Sequence, residues 1–161
     1  MGNLKIKKIV SNCIIILVIF LADRLSKIYI LKIAQVEKTV DMYINQYLNF
    51  FLIWNKGIAF GLFSFEESFV YNLISCVIFI ISISLIFFII KSEGIKKYAL
   101  ISILGGALGN FFDRIYYSAV PDFIDIHIGS FHWFIFNVAD IFITIGVICL
   151  ILDELFLNKQ N

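Results

Sequence analysis

The sequence predicts an α-helical integral membrane protein: a bundle of four transmembrane helices with a small extracytoplasmic β-hairpin. Three observations predict it. Of the 161 residues, 61% are hydrophobic and only 16% charged, with a mean hydropathy of +0.95. A soluble domain averages about 45–50% apolar and about 25% charged residues. Four apolar stretches are each long enough to cross a bilayer. And the acidic residues inside them fall at one depth.

Taken in order, the chain starts with Lys5, Lys7 and Lys8, followed by an apolar run from Ile9. No small-residue cleavage site follows; DRLSK and IYIL come instead. This reads as an uncleaved first span, about 9–31, and not as a signal peptide. An outer β-rich segment is expected at about 40–66. There YLNFFLIW, an Asn55-Lys56-Gly57 turn and IAFGLF read as a hairpin. The second span, about 68–90, carries no charge. The third, about 98–117, is interrupted by Asp113 and Arg114, and the fourth is about 133–152. All belong to a single membrane domain, 1–161. Lys5, Lys7 and Lys8, then Lys91, Lys96 and Lys97, then Lys159 mark one side. The excess places both termini in the cytoplasm.

The formal net charge of +1 argues against a nucleic-acid partner. Cys13, Cys76 and Cys149 sit in apolar runs with no metal-binding spacing, and read as inert. His127 and His132 are five apart in an expected loop, without an HExxH pattern, so no metal is expected. There is no GxSxG. Gly105 and Gly109, four apart, read as a helix-packing patch.

Counted from the cytoplasmic ends at about 1.5 Å per residue, Asp23 stands roughly 21 Å up, Asp113 roughly 22 Å and Asp140 roughly 18 Å. Ionisable groups inside spans usually face the bundle interior and each other. A single polar layer in the outer third of the membrane follows. Asp23 and Lys27 share a helix face at i,i+4; Asn110 lies one turn before Asp113 and Arg114; Asn137 lies one turn before Asp140. Asp122 and Asp125 lie in what reads as a short outer loop, after Pro121. Two close carboxylates share a proton and can activate water for peptide hydrolysis. Spacing alone does not choose Asp122 with Asp140 over Asp113 with Asp140. Two other classes compete: a small proton-coupled carrier using the same carboxylates, and a scaffold held by glycine packing with the charges setting registry.

DRLSK at 23–27, NKGIAFGLF at 55–63, GGALGNFFDR at 105–114, VPDFID at 120–125 and FNVAD at 136–140 occur in this order. Together they resemble the motif blocks of lipoprotein signal peptidase, the bacterial signal peptidase II. The resemblance implies an aspartic endopeptidase of the bacterial cytoplasmic membrane. It implies diacylglyceryl-modified prolipoproteins as substrates, cut just before the lipidated cysteine, and inhibition by globomycin. It implies Asp122 and Asp140 as the catalytic pair, with supporting roles for Asp23, Lys27, Asn55, Gly57, Asn110, Arg114 and Asn137. Arg114 is expected to hold substrate carbonyls or a lipid phosphate. The outer hairpin would correspond to the family's β-cradle. No cofactor is expected, and the enzyme is expected to act as a monomer on its substrate and membrane lipid.

Overall fold

The computed structural model describes residues 2–57 and 68–157. Helix α1 runs Gly2–Glu37, α2 Ser68–Lys91, α3 Gly94–Tyr117 and α4 Val138–Leu152. A single π-helical turn, Asp153–Leu157, continues α4. Strands β1 (Asp41–Asn45), β2 (Leu48–Asn55), β3 (Val120–Ile128) and β4 (Phe131–Phe136) form one sheet in the order β1-β2-β3-β4. Every neighbouring pair is antiparallel.

Helix α3 is the element on which the others pack, and its small residues explain why. A side chain on Gly105 would strike Ile19 of α1. A Cβ on Gly106 would stand 2.5 Å from the Ala139 carbonyl oxygen of α4. On α4, Gly146 makes the reciprocal approach to the Ala99 carbonyl and Ile103. The glycine patch therefore serves close helix approach, as its spacing predicts. Around it Ile89, Leu100, Ile101 and Leu104 form one buried apolar cluster, joined by Ile15, Ile16 and Leu150. A second cluster of Ile30, Val40 and Phe123 fastens the end of α1 to the sheet.

The outside of the bundle is apolar. Ile80, Ile83, Phe87 and Phe88 of α2 and Ile145 and Ile148 of α4 all project outward. The interior instead contains Asp23, Lys27, Asn110, Asp113, Asp122 and Asn137. This reverses the usual arrangement of a water-soluble domain. Taken by length and composition, Tyr71–Lys91 is the one helical stretch among the described residues apolar enough to cross a membrane.

Three elements differ from the sequence expectation. Strand β2 covers the expected YLNFFLIW strand, but its partners are β1 and β3. The expected return strand IAFGLF at 58–63 lies outside the described residues. The expected outer loop before the fourth span is strands β3 and β4. Ser118, at φ 55°, ends α3 in the left-handed region and turns the chain into β3. Pro121 is tolerated because β4 first pairs at Ile124, leaving β3 locally an edge at the proline. Finally, residues 133–136 belong to β4, and α4 begins only after Asn137. Hydropathy alone cannot separate an apolar strand from the apolar helix that follows it. Asp140 consequently sits in the first turn of α4 and not in its interior.

Gly106→Ala places a methyl group against a main-chain oxygen that belongs to the opposite helix. It is expected to lower stability by about 1–3 kcal/mol. Thermal unfolding in detergent reads the effect; an unchanged midpoint would show that α3 and α4 separate at no cost.

Candidate active site

The site is assembled from the inside outward, beginning with one ammonium group. Lys27 is fully buried on α1. Its Nζ lies 2.9 Å from Asp23, 2.9 Å from the Asn110 amide oxygen and 2.6 Å from Asp113. Arg24 pairs with Asp113 as well and stacks over the Phe112 ring at 4.9 Å. Two cations thus face two carboxylates. A buried ion is tolerated only with this kind of pairing. Asp23 reaches further, accepting the Ala139 backbone N–H of α4 at 3.0 Å. Gly109 makes room for it, since a Cβ there would lie 2.5 Å from the Asp23 carboxylate.

Asn110 passes the network outward. Its oxygen accepts from Lys27, and its Nδ2 donates to Asp140 at 2.8 Å. Asp140 is the N3 residue of a capping box. Its own N–H donates to the Asn137 side chain, and its carboxylate accepts the Asn137 N–H, both at 3.1 Å. These bonds satisfy donors that a helix N-terminus otherwise leaves unpaired. The positive end of the helix dipole also favours a negative charge there.

Asn137 bridges to the second carboxylate. Its Nδ2 donates to Asp122 of β3. The other Asp122 oxygen accepts from Asn55 Nδ2, at the end of β2, at 2.9 Å. Asn55 then accepts the Gly57 N–H at 2.9 Å. Arg114 closes the circle, donating to the carbonyls of Gly57 at 3.2 Å and Asn110 at 3.3 Å. Asp122 is buried, while Asp140 is partly open. Burial first, then the charge of Asp140, pushes the Asp122 carboxyl up from 3.8 to about 6; the two amide bonds oppose the rise.

All nine residues singled out in the sequence therefore lie in one continuous hydrogen-bonded cluster. Asp113, the rival partner for Asp140, lies between Lys27 and Arg24. Asp122 and Asp140 are hydrogen-bonded by amides and, among the described residues, by no lysine or arginine. Arg114 is buried and directed at main-chain carbonyls, not outward toward a substrate or headgroup as expected. Two contributors lie outside that set. In the sequence Arg24 is at most an alternative to Lys27 as the ion-pair partner of Asp23, whereas its guanidinium also pairs with Asp113 on α3. Tyr71, whose hydroxyl donates to the Arg114 carbonyl at 2.9 Å, carries no signal in an otherwise apolar run. The capping box was readable: Asn137-x-x-Asp140 before an apolar run is its signature.

The profile of the family described as "Signal peptidase (SPase) II" matches residues 15–156. The chain is 58% identical over 161 residues to the lipoprotein signal peptidase of Pelagibacter ubique (strain HTCC1062), covering 100% of this chain and 97% of that one. It is 39% identical over 157 residues to that of Anaplasma phagocytophilum (strain HZ), covering 96% and 97%. A solved structure described as a bacterial membrane enzyme, at 1.9 Å resolution, superimposes with a TM-score of 0.73 at 30% identity, covering 94% of each chain. The protein is a peptidase of the aspartic class. It belongs to the signal peptidase II family.

Two predictions follow from the geometry. Lys27→Met leaves Asp23 and Asp113 with too little positive charge in a buried site. It is expected to cost about 3–5 kcal/mol, measured by chemical or thermal unfolding in detergent. The second concerns Asp122. The folded protein holds its proton more tightly than the unfolded chain does. The stability it contributes is fully present below the unfolded value and is lost as pH rises through about 6. Asp122→Asn should flatten that part of the stability–pH curve between about pH 4 and pH 7. Parallel curves for the two proteins would show that Asp122 titrates as an ordinary carboxylate.

Proposed function

We propose that Asp122 and Asp140 are the catalytic pair of a membrane endopeptidase that removes signal peptides from diacylglyceryl-modified prolipoproteins, cutting just before the lipidated cysteine. One observation carries this reading: a single residue, Asn137, donates to both carboxylates, to Asp122 from its side-chain amide and to Asp140 from its backbone N–H, and neither acid is ion-paired among the described residues. Such a pair titrates as a unit and keeps one proton. Asp122, the more buried member, holds that proton and donates a hydrogen bond to the scissile carbonyl. Asp140, at the helix N-terminus, takes a proton from water as the hydroxide attacks the carbonyl carbon. The resulting tetrahedral species collapses when the C–N bond breaks and a carboxyl proton passes to the leaving amine.

The surrounding cluster serves this chemistry by position. Lys27, Asp23, Asp113 and Arg24 fix α1 against α3. Asn110 and Asn137 orient the two acids. Arg114 and Asn55 hold the chain at Gly57, where β2 ends. The names of the relatives support a lipoprotein substrate, and the apolar exterior supports the lipid phase. In this reading α1 to α4 all span the bacterial cytoplasmic membrane, with both termini cytoplasmic. The sheet lies on the outer surface, and the acids stand near the outer leaflet. A bond adjacent to a lipid-bearing residue arrives at that level, and the apolar signal segment reaches it laterally from the bilayer.

The test is cleavage of a diacylglyceryl-modified prolipoprotein by purified protein in detergent, with no gradient and no partner protein. Asp122→Asn and Asp140→Asn should each retain the fold and lose turnover by about 10²–10⁴-fold. A variant that cuts at the wild-type rate would remove that residue from the mechanism.

A further inference from the structure

Away from the acid pair, strands β3 and β4 gather a second cluster of a different composition. Asp125 and His127 are alternate residues on β3, and His132 is the cross-strand partner of His127 on β4. Alternate residues on a strand share a face, and so do directly paired ones. Their linear order gave no sign of this, because all three read as loop residues in the sequence. Asp125 is in fact 5% exposed. Of the basic side chains among the described residues, the two histidines are the ones beside it: His132 Nδ1 is hydrogen-bonded to the carboxylate, and His127 Nδ1 stands further off.

The donor atoms converge. Asp125 Oδ2 lies 2.9 Å from His132 Nδ1 and 3.9 Å from His127 Nδ1, and donors from all three residues fall within 4.8 Å of one another. Donors around a tetrahedral ion with bonds of about 2.1 Å stand about 3.4 Å apart, between the first two of these distances. The imidazoles stack at 4.9 Å with 22° between their planes. A second observation is independent of this spacing. His127 is 9% exposed, and its Nδ1 is buried without a hydrogen-bond partner. A nitrogen left unpaired in this way carries a desolvation cost that a bound ion would relieve. Asn49, which pairs with Asp125 from β2, also has a buried and unpartnered Oδ1. The His132 side chain is 52% exposed and leaves a path from solvent.

We propose that Asp125, His127 and His132 form a binding site for a divalent transition-metal ion of the zinc class, with Asn49 or water available as a fourth ligand. Two imidazoles and one carboxylate favour zinc, cobalt, nickel or copper over magnesium or calcium. The ion would staple β3 to β4 across their connecting turn. That hairpin runs from Asp122, three residues before Asp125, to Asn137, five residues after His132. The site is therefore a structural clamp on the platform that presents the acids. It takes no part in the hydrolysis and depends on no step of it.

The experiment uses untagged full-length protein in detergent, stripped with chelator and titrated with cobalt(II), then competed with zinc(II). Wild type should develop the visible absorption of tetrahedral cobalt at one ion per chain, lose it to zinc but not to magnesium, and unfold at a higher temperature when zinc is bound. His132→Gln, at a half-exposed position that tolerates change, should weaken binding about tenfold or more, and so should His127→Gln. Asp122→Asn and Asp140→Asn should bind as wild type does. The proposal is overturned if folded wild type shows no cobalt band, or if both histidine variants bind equally well. It is also overturned if either catalytic-pair variant abolishes binding, which would place the ion at the acids instead.

Discussion

Everything outward of the helix interior depends on the ammonium of Lys27. It is the point at which α1 and α3 are joined by charge, through Asp23, Asn110 and Asp113. A buried lysine is costly to desolvate, and two carboxylates with an amide offset that cost only in a narrow geometry. Precision at the acids is inherited from this arrangement. Asn110 faces Lys27 with its oxygen, so its amide nitrogen has to face Asp140. Asp23 faces Lys27 as well, and its second role is to receive the first turn of α4 through Ala139. The orientation of a helix that begins on the far side of a sheet is thus set by an ion pair on the first helix of the chain.

Close backbone approach makes such geometry possible. Side chains as short as Asp and Asn bridge helices only if the axes come near, and the glycines of α3 allow it. Gly106 admits the Ala139 carbonyl and Gly109 admits the Asp23 carboxylate. The first is a packing contact and the second is electrostatic. One sequence patch therefore serves both the hydrophobic and the polar halves of the interior. The outer faces contribute none of this, which is why they can be uniformly apolar.

Much of the helical framework was legible from the sequence, because long apolar runs are hard to mistake. So was the polar layer: Asp23, Asp113 and Asp140 were placed together by counting rise along three helices, and Lys27 links the first two directly while Asn110 carries the link to Asp140. The motif blocks joined Asn55 and Asp122 to that layer, which no local pattern could do; they lie 67 residues apart and meet only through the β2–β3 pairing. The sheet itself was largely hidden. FHWFIF merges into the apolar helix that follows, and VPDFIDIHI has acids where a solvated loop would have them. Sheet pairing between distant segments is set by tertiary packing, and sequence periodicity does not report it. For the same reason the approach of His127 to His132 was invisible until the strands were paired.

Asn137 holds two positions at once. It caps α4 with its side-chain oxygen and positions Asp122 with its side-chain nitrogen. The residues that cap helices well are Asn, Asp, Ser, Thr and Gly. Those whose side chain also offers an N–H on so short a stem reduce to asparagine alone. Aspartate would cap the helix and set a third carboxylate against the other two; serine would have to use one oxygen on a shorter stem both to accept the Asp140 N–H and to donate to Asp122, where asparagine divides the roles between two atoms. Evolutionary drift at this position therefore has nowhere to go. A substitution that preserves the helix disturbs the acids, and one that supplies the donor from a longer stem disturbs the helix start.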